Sequence, residues 1–183
     1  MSLPEAPNHD WFESGDGCYC FTFVRDVAPE EALRRIGAEP LDDEEEADEI
    51  DEGLVDAYPV EGGTLLVEHN GYAGTLDEVQ RELSAGTVTA AVFRNVNHDQ
   101  MFTHWTGGRE ILNFDPQFPA DSRGGEDPDR HLAEMRALGL VTENGEDGPD
   151  AGVHRALALA ARLTGMPVTA LPSDGVAHGV LDH

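Results

Sequence analysis

Polar side chains that can exchange protons or hold a ligand gather near the ends of two apolar runs. One run covers residues 64–67 and the other 87–93, and both have the composition of β-strands. If the runs are neighbours in a sheet, these side chains meet at one sheet edge, as an acid–base or ligand-binding site requires. The candidate ligand-binding residues are Glu68, His69, Asn70, Arg94, Asn97 and His104.

The same residues also have a structural interpretation. Asn70 followed by Gly71 favours a tight turn. Glu68 and Arg94 carry opposite charges and would pair, while His69 would cap a backbone group, and charged partners near strand ends commonly serve structure. A ligand site and a set of loop-forming contacts therefore both remain open from sequence.

Cys18 and Cys20 supply half of the ligands of a zinc site, which His69, His98 or His104 would complete. In a strand, however, residues i and i+2 lie on the same face, where two thiols pack as small apolar groups. The sequence holds only these two cysteines. We therefore expect no metal site, and no residue pattern indicates a cofactor.

Two classes of catalytic motif are excluded by the residues themselves. All eleven basic residues are arginine, so the lysine of a phosphate-binding P-loop is missing. None of the five serines lies in a nucleophile-elbow pattern. Enzymatic activity stays open, and the sequence favours a non-enzymatic role.

The chain is strongly acidic, with 37 acidic residues against 11 basic ones and a formal net charge of −26. Phosphate backbones and anionic membranes repel such a surface, so neither is an expected partner, whereas a basic protein would be attracted. Nine of the eleven residues 42–52 are acidic, which is typical of a solvated loop and also serves solubility alone. The candidate partner-binding residues are Asp42, Asp43, Glu44, Glu45, Glu46, Asp48 and Glu49.

The cellular location follows from what the sequence lacks. No apolar run approaches the roughly 18 residues of a membrane span. Residues 1–10 have neither the basic nor the apolar region of a signal peptide. We therefore expect a cytoplasmic protein with reduced thiols.

The elements that must position these residues are marked by apolar periodicity, glycine and proline. The run 18–24 is apolar and rich in aromatic and other strand-forming residues, which predicts a strand buried on both sides. The remaining predicted elements are strands at 54–60, 64–68 and 87–96, a hairpin at 101–114, and helices at 29–36, 75–84, 128–138 and 151–164.

The hairpin is folded at Gly107-Gly108, which suits a two-residue turn with positive φ. Such a turn pairs Trp105 with Glu110, Thr103 with Leu112 and Met101 with Phe114, and this face is the better core candidate. The opposite face is mixed and suits a groove; it carries Phe102, His104, Arg109, Ile111 and Asn113.

Five short strings occur in a characteristic order: FTFVR at 21–25, EHNGYAG at 68–74, FRNVN at 93–97, FDPQFP at 114–119 and LAARLTG at 159–165. Together they resemble a family of small actinobacterial proteins known only as a domain of unknown function, over roughly residues 11–165. Asp26 stands where a glycine is expected in such proteins. The resemblance implies a bacterial, cytoplasmic, single α+β domain and transfers no catalytic residues.

These patterns predict an α+β fold: a mainly antiparallel sheet of about five to six strands with helices packed chiefly on one face. The predicted organisation is a flexible lead-in over 1–10, a single domain over 11–165 with an acidic loop at 40–53, and a weakly ordered tail over 166–183.

Two functions compete on this evidence. The first is a non-enzymatic, acidic protein-interaction domain of the immunity or antitoxin kind, with a basic protein as partner. The alternative is a small enzyme or ligand-binding protein whose polar site surrounds His69 and Arg94.

Overall fold

The chain forms one antiparallel sheet of eight strands in the computed structural model, which describes residues 18–43, 47–50 and 52–182. The predicted lead-in over 1–10 and the partner candidates Glu44, Glu45 and Glu46 lie outside the described residues. The strands are β1 (Tyr19–Arg25), β2 (Glu39–Leu41), β3 (Leu54–Val60), β4 (Gly63–His69), β5 (Val88–Arg94), β6 (Gln100–Thr106), β7 (Arg109–Phe114) and β8 (Ala177–Val180).

The strand order is β2-β8-β3-β4-β1-β5-β6-β7, and each neighbouring pair is antiparallel. The predicted α+β class with a mainly antiparallel sheet is confirmed, but the sheet has eight strands rather than five to six. The additional strands include β2, of three residues around Pro40, and β8, of four residues around Gly179. Both are too short to show an alternation of apolar and polar residues.

The helices cover both faces of the sheet, not chiefly one. On the front face, defined by Phe21 and Phe23, the core includes residues of the longest helix. On the back face, defined by Val24 and Leu66, the core includes residues of the first two helices. The helices whose bounds lie within the described residues are α1 (Pro29–Ile36), α2 (Asp77–Leu83), α3 (Leu132–Ala137) and α4 (Val153–Thr164). In the described part of the chain, no helix is long and apolar enough to cross a membrane.

A β-bulge changes the register of the predicted hairpin. Trp105 pairs with Glu110 as expected, but His104 then pairs with Leu112, which leaves Ile111 as an extra residue. Phe102 consequently pairs with Phe114, and their rings stack with centroids 4.6 Å apart. The predicted pairs Thr103–Leu112 and Met101–Phe114 are therefore wrong, because one inserted residue moves the rest of a strand to the opposite face.

The same shift removes the predicted groove on the hairpin. Phe102, His104 and Ile111 are buried, with exposed fractions of 0%, 3% and 4%. The face that appeared mixed in sequence thus carries core side chains.

The segment after α4 joins the fold instead of forming a weakly ordered tail. Met166 and Val168 are buried in the front-face core. Residues 177–180 then enter the sheet between β2 and β3, where His178 pairs with both Leu41 and Asp56.

The loop after β4 packs tightly on the back face. Buried Glu68 accepts hydrogen bonds from the backbone N–H groups of Ala73 (2.8 Å) and Gly74 (2.9 Å) and so holds a short 3₁₀ turn over 73–75 against the sheet. A Cβ atom at Gly74 would lie 2.9 Å from Cys20 Sγ and still closer to Thr22 Oγ1. Glycine is therefore required by the close approach of the turn to β1.

We expect Gly74→Ala to lower the free energy of unfolding by about 1–3 kcal/mol, as overpacking of a dense core does. Thr22→Ala removes the nearest atom, so the double variant is expected to lose less stability than the sum of the two single variants. Urea denaturation of the four proteins measures this coupling. If the losses in the free energy of unfolding are additive, the added methyl group at position 74 does not clash with Thr22.

Candidate functional site

A row of polar side chains crosses four adjacent strands on the front face. Tyr19 of β1 pairs with His69 of β4 on one side and with Arg94 of β5 on the other, and Arg94 pairs with Gln100 of β6. Directly paired residues project to the same face, and adjacent strands are about 4.8 Å apart, so this front-face polar row is about 14 Å long. It lies where β4 and β5 end, as the sequence predicted for His69 and Arg94.

The members of the row differ in exposure. The side chain of His69 is 50% exposed, Arg94 and Gln100 are half-buried, and Tyr19 is buried. Burial raises the pKa of Tyr19, and the neighbouring Arg94 guanidinium offsets part of that rise. The row therefore presents a cationic group beside a phenol on a surface that solvent can reach.

Arg94 has two polar neighbours, the ring of His98 and the phenol of Tyr19. Its Nη2 donates to Nδ1 of His98 at 3.0 Å. Its Nε is buried and has no hydrogen-bond acceptor among the described residues. Oε1 of Gln100 is also buried, and no described residue donates a hydrogen bond to it. No carboxylate of the described chain forms a salt bridge with Arg94.

A buried carboxylate stands behind the row. Asp56 of β3 accepts a hydrogen bond from Nε2 of His69 (2.9 Å) and another from Nδ1 of His178 on β8 (2.6 Å). Burial acts to raise the pKa of Asp56, but the two imidazole hydrogen bonds outweigh it and hold that pKa below its usual value. The hydrogen bond to Asp56 in turn raises the pKa of His69, against the opposing effect of burial. His69 is thus fixed in orientation and favoured in its protonated form.

Glu68 does not belong to this site. Its neighbour in register is Cys20, so its side chain lies on the back face, opposite to His69 and Arg94. There it accepts the two backbone hydrogen bonds of the 3₁₀ turn. The ion pair between Glu68 and Arg94 considered from sequence is consequently absent, because successive residues of a strand face opposite sides and only His69 shares a face with Arg94.

The other three ligand candidates are placed separately. Asn70 has a left-handed φ of 60° in the turn after β4. Asn97 lies in the exposed turn between β5 and β6, where its backbone N–H donates to Oδ1 of Asn95 at 2.9 Å. His104 is buried on the front face, paired with Ala90 and inward from the row. Of the six predicted residues, only His69 and Arg94 lie in the polar row.

Sequence reasoning missed Tyr19, Asp56, Gln100 and His178. Tyr19 begins an aromatic run and was assigned to the core, and Asp56 and His178 are separated by 122 residues. The available signal was the alternation in β1: if β1 lies between β4 and β5, then His69 and Arg94 must flank one of its residues.

The two cysteines do not form a shared cluster with histidine. Cys20 is buried on the back face, and burial raises the pKa of its thiol. His69 projects from the front face. Within the described ranges, no group of three or more His, Cys, Asp or Glu residues is arranged to hold a metal ion.

A second candidate surface lies at the β2 edge of the sheet. A groove of about 470 Å³ opens there between α1 and the strands β2 and β8. Its apolar lining is Leu33, Ala38, Pro40, Leu41 and Ala177, and its polar lining is Glu30, Arg34, Asp42 and His178. Of the predicted partner-binding residues, Asp42 borders the groove, Asp43 follows it in the chain, and Asp48 and Glu49 are exposed further on.

Comparison with known proteins identifies a family but no activity. Residues 6–172 match the model of DUF6461, a family of unknown function, which confirms the resemblance to a domain of unknown function. No curated protein and no solved structure matches the chain.

We expect the buried His104 to make folding stability depend on pH. Burial lowers its pKa from 6.5 to about 4, although its Nδ1–H donates to the carbonyl of Thr89 at 2.9 Å. As pH falls, the unfolded chain therefore binds a proton at His104 before the folded chain does. The contribution of neutral His104 to the free energy of unfolding is complete above pH 6.5 and is lost as pH falls through about 4. The loss amounts to about 3 kcal/mol.

Urea denaturation at several pH values between 7 and 4 measures this effect. His104→Asn keeps a side-chain N–H near Thr89 but does not titrate, so the stability difference between wild type and variant is expected to shrink as pH falls. Parallel stability curves for the two proteins would contradict the assignment.

Proposed function

We propose a non-enzymatic role for this chain, which belongs to the DUF6461 family of unknown function. In this role it binds a basic protein through the acidic groove between α1, β2 and β8. The observation that supports this proposal is that the groove combines an apolar floor with an acidic rim. Pockets of about 300–1,000 Å³ hold small ligands, and the groove of about 470 Å³ is in this range, so it has room for a side chain of a partner.

The charges around the groove favour a cationic occupant. Glu30 and Asp42 line it, and Glu39 and Asp43 are exposed beside them. The one arginine in the lining, Arg34, donates to both carboxylate oxygens of Glu31 at 2.7 and 2.6 Å, so its charge is already neutralised. A partner with lysine or arginine around an apolar anchor residue matches this arrangement.

The charge of the whole chain supports the same class of partner. A formal net charge of −26 attracts basic proteins over distances longer than any contact and repels nucleic acid. An immunity or antitoxin-like protein is the specific form that we propose, since an acidic surface can occupy a groove that otherwise takes the phosphate backbone.

Capture of partners from a lysate of the source organism, at about 0.1 M and about 1 M salt, is the first test. The Debye length falls from about 10 Å to about 3 Å over this range, so an electrostatically held partner is expected to bind at the lower concentration and to be released at the higher one. A stoichiometric partner of basic composition supports the proposal, and an acidic partner, or no partner at either salt concentration, contradicts it.

Two matched variants then locate the surface on this partner. One variant neutralises the groove with Glu30→Gln, Glu39→Gln, Asp42→Asn and Asp43→Asn. The control removes four exposed charges elsewhere with Asp121→Asn, Glu143→Gln, Glu146→Gln and Asp174→Asn. The groove variant is expected to lose about tenfold or more in affinity, equal to about 1.4 kcal/mol, while the control changes less. Equal losses would mean that total charge, and not the groove, determines binding.

A further inference from the structure

We propose that the basic partner binds through one extended segment, which places an apolar side chain in the acidic groove and a second one in a neighbouring apolar pocket. This inference rests on the proposed function and specifies the kind of partner that the groove takes. The neighbouring pocket, of about 200 Å³, lies at the C-terminal end of α1. This end pocket is lined by the side chains of Ile36, Tyr72, Ala73, Leu76, Val79 and Leu181.

The back-face core reaches the surface at both openings. Three apolar side chains that pack against this core stay partly exposed, and they are Val79, Ala177 and Leu181. Ala177 lines the acidic groove, whereas Val79 and Leu181 line the end pocket together with Tyr72, which is 54% exposed. An apolar side chain of a partner in either opening therefore extends the core and removes apolar surface from water.

The two openings are adjacent along two segments of the chain. Gly37 lines the end pocket, and the next residue, Ala38, lines the groove. On the other side, His178 of the groove is three residues before Leu181 of the end pocket, and the Leu181 N–H extends the β8 ladder by donating to the carbonyl of Gly53 at 2.8 Å. At about 3.3 Å per residue, the openings are about 10–13 Å apart. Residues i and i+4 of an extended partner segment span this distance and project to the same side.

The junction between the openings suits a basic side chain. Gly37 ends α1 in a left-handed conformation, and a Cβ atom placed there would meet no neighbouring atom within 4 Å in the described part of the chain. The junction is therefore open, and it lies at the C-terminal end of a helix, which attracts a cation. Residue i+2 of the partner segment projects to the same side as the two anchors, so a lysine or arginine at i+2 faces this helix end.

The charges around both openings favour the same occupant. Asp42 lines the groove and Asp182 lines the end pocket. The arginines in the last turn of α1 are already engaged, because Arg34 donates to Glu31 and Arg35 donates to Glu31 (3.1 Å) and to two backbone carbonyls at the end of α2. The remaining negative charge attracts a basic segment and opposes a second copy of this chain, since an isologous contact brings the same acidic residues together.

NMR titration of the isotope-labelled full chain with the synthetic peptide acetyl-Leu-Gly-Arg-Gly-Leu-amide tests this arrangement. The backbone amide signals of Leu41 in the groove and Leu181 in the end pocket are expected to shift with one common saturation curve, because one peptide fills both openings. A shift confined to the groove overturns the two-anchor arrangement and leaves the proposed function in place. Shifts in neither opening also overturn it, whereas the proposed function fails by the separate capture experiment.

Two control peptides distinguish other occupants. Glutamate in place of the arginine keeps both anchors, so equal affinity would assign an apolar ligand without charge preference and contradict the proposal. The sequence Leu-Leu-Gly-Arg-Gly keeps composition and charge but not the spacing, and equal affinity would contradict the two anchors. Dimers in sedimentation velocity that Tyr72→Ala dissociates would assign the end pocket to a second copy, which also overturns the proposal.

Matched variants locate the second anchor. Tyr72→Ala removes an exposed aromatic side chain from the end pocket and is expected to weaken binding of the peptide about fivefold or more. Phe118→Ala removes an aromatic side chain of nearly equal exposure, 55%, that lines neither opening, and it is expected to leave binding within about twofold. Equal effects of the two variants overturn the assignment.

A second pair of variants fills the pocket instead of emptying it. Val79→Phe places a ring in the end pocket and is expected to abolish the shift of Leu181 while the shift of Leu41 remains. Val96→Phe makes the same change on a side chain that is 68% exposed and lines neither opening. Retention of both shifts in folded Val79→Phe contradicts an anchor in the end pocket.

Discussion

Burial of β1 on both faces is the constraint on which the rest of the structure depends. The strand is hydrogen-bonded along both edges, to β4 and to β5, and its side chains are buried from Tyr19 to Val24. Each large side chain fully removed from water contributes about 1.5–3 kcal/mol, so both faces need a cover. The helix α4 helps to supply one cover, and α1 with α2 helps to supply the other.

This constraint also determines on which face of the sheet each polar side chain of β4 lies. A one-residue slip of β4 against β1 would move every side chain of β4 to the opposite face. Glu68 would then leave the two backbone N–H groups that it satisfies, and His69 would leave Asp56. The hydrogen bonds of Glu68 on the back face and of His69 on the front face therefore fix one and the same register, although they belong to different layers.

The sequence predicts elements that are long or clearly bounded, and it does not predict short strands that pair with segments far away in the chain. The helix at 29–36 follows from Pro29, two early glutamates and Gly37, which takes the left-handed conformation that ends it. By contrast, β2 and β8 are too short for a periodic pattern, and the extra Ile111 in β7 leaves no local mark. Asp26 shows a left-handed φ of 56°, which glycine adopts more readily and which agrees with the glycine expected there.

The residues of the candidate site also divide into those that the sequence predicts and those that it does not. His69 and Arg94 were predicted because both end strands, and strand ends are visible in sequence. Asp56 sits as a single acid between Val55 and Ala57, and its partner His178 comes from a segment with no strand signal. Their contact depends on β8 returning beside β3, which no local pattern encodes.

The proposed partner surface combines local and long-range electrostatics. At the acidic groove, the local carboxylates and the net charge of −26 act in the same direction, so salt weakens the attraction of a basic partner at both scales. Screening acts on the charged rim of the groove and not on the burial of its apolar floor. Release of a partner at high salt would therefore measure the contribution of the rim, and any binding that persists would measure the contribution of the floor.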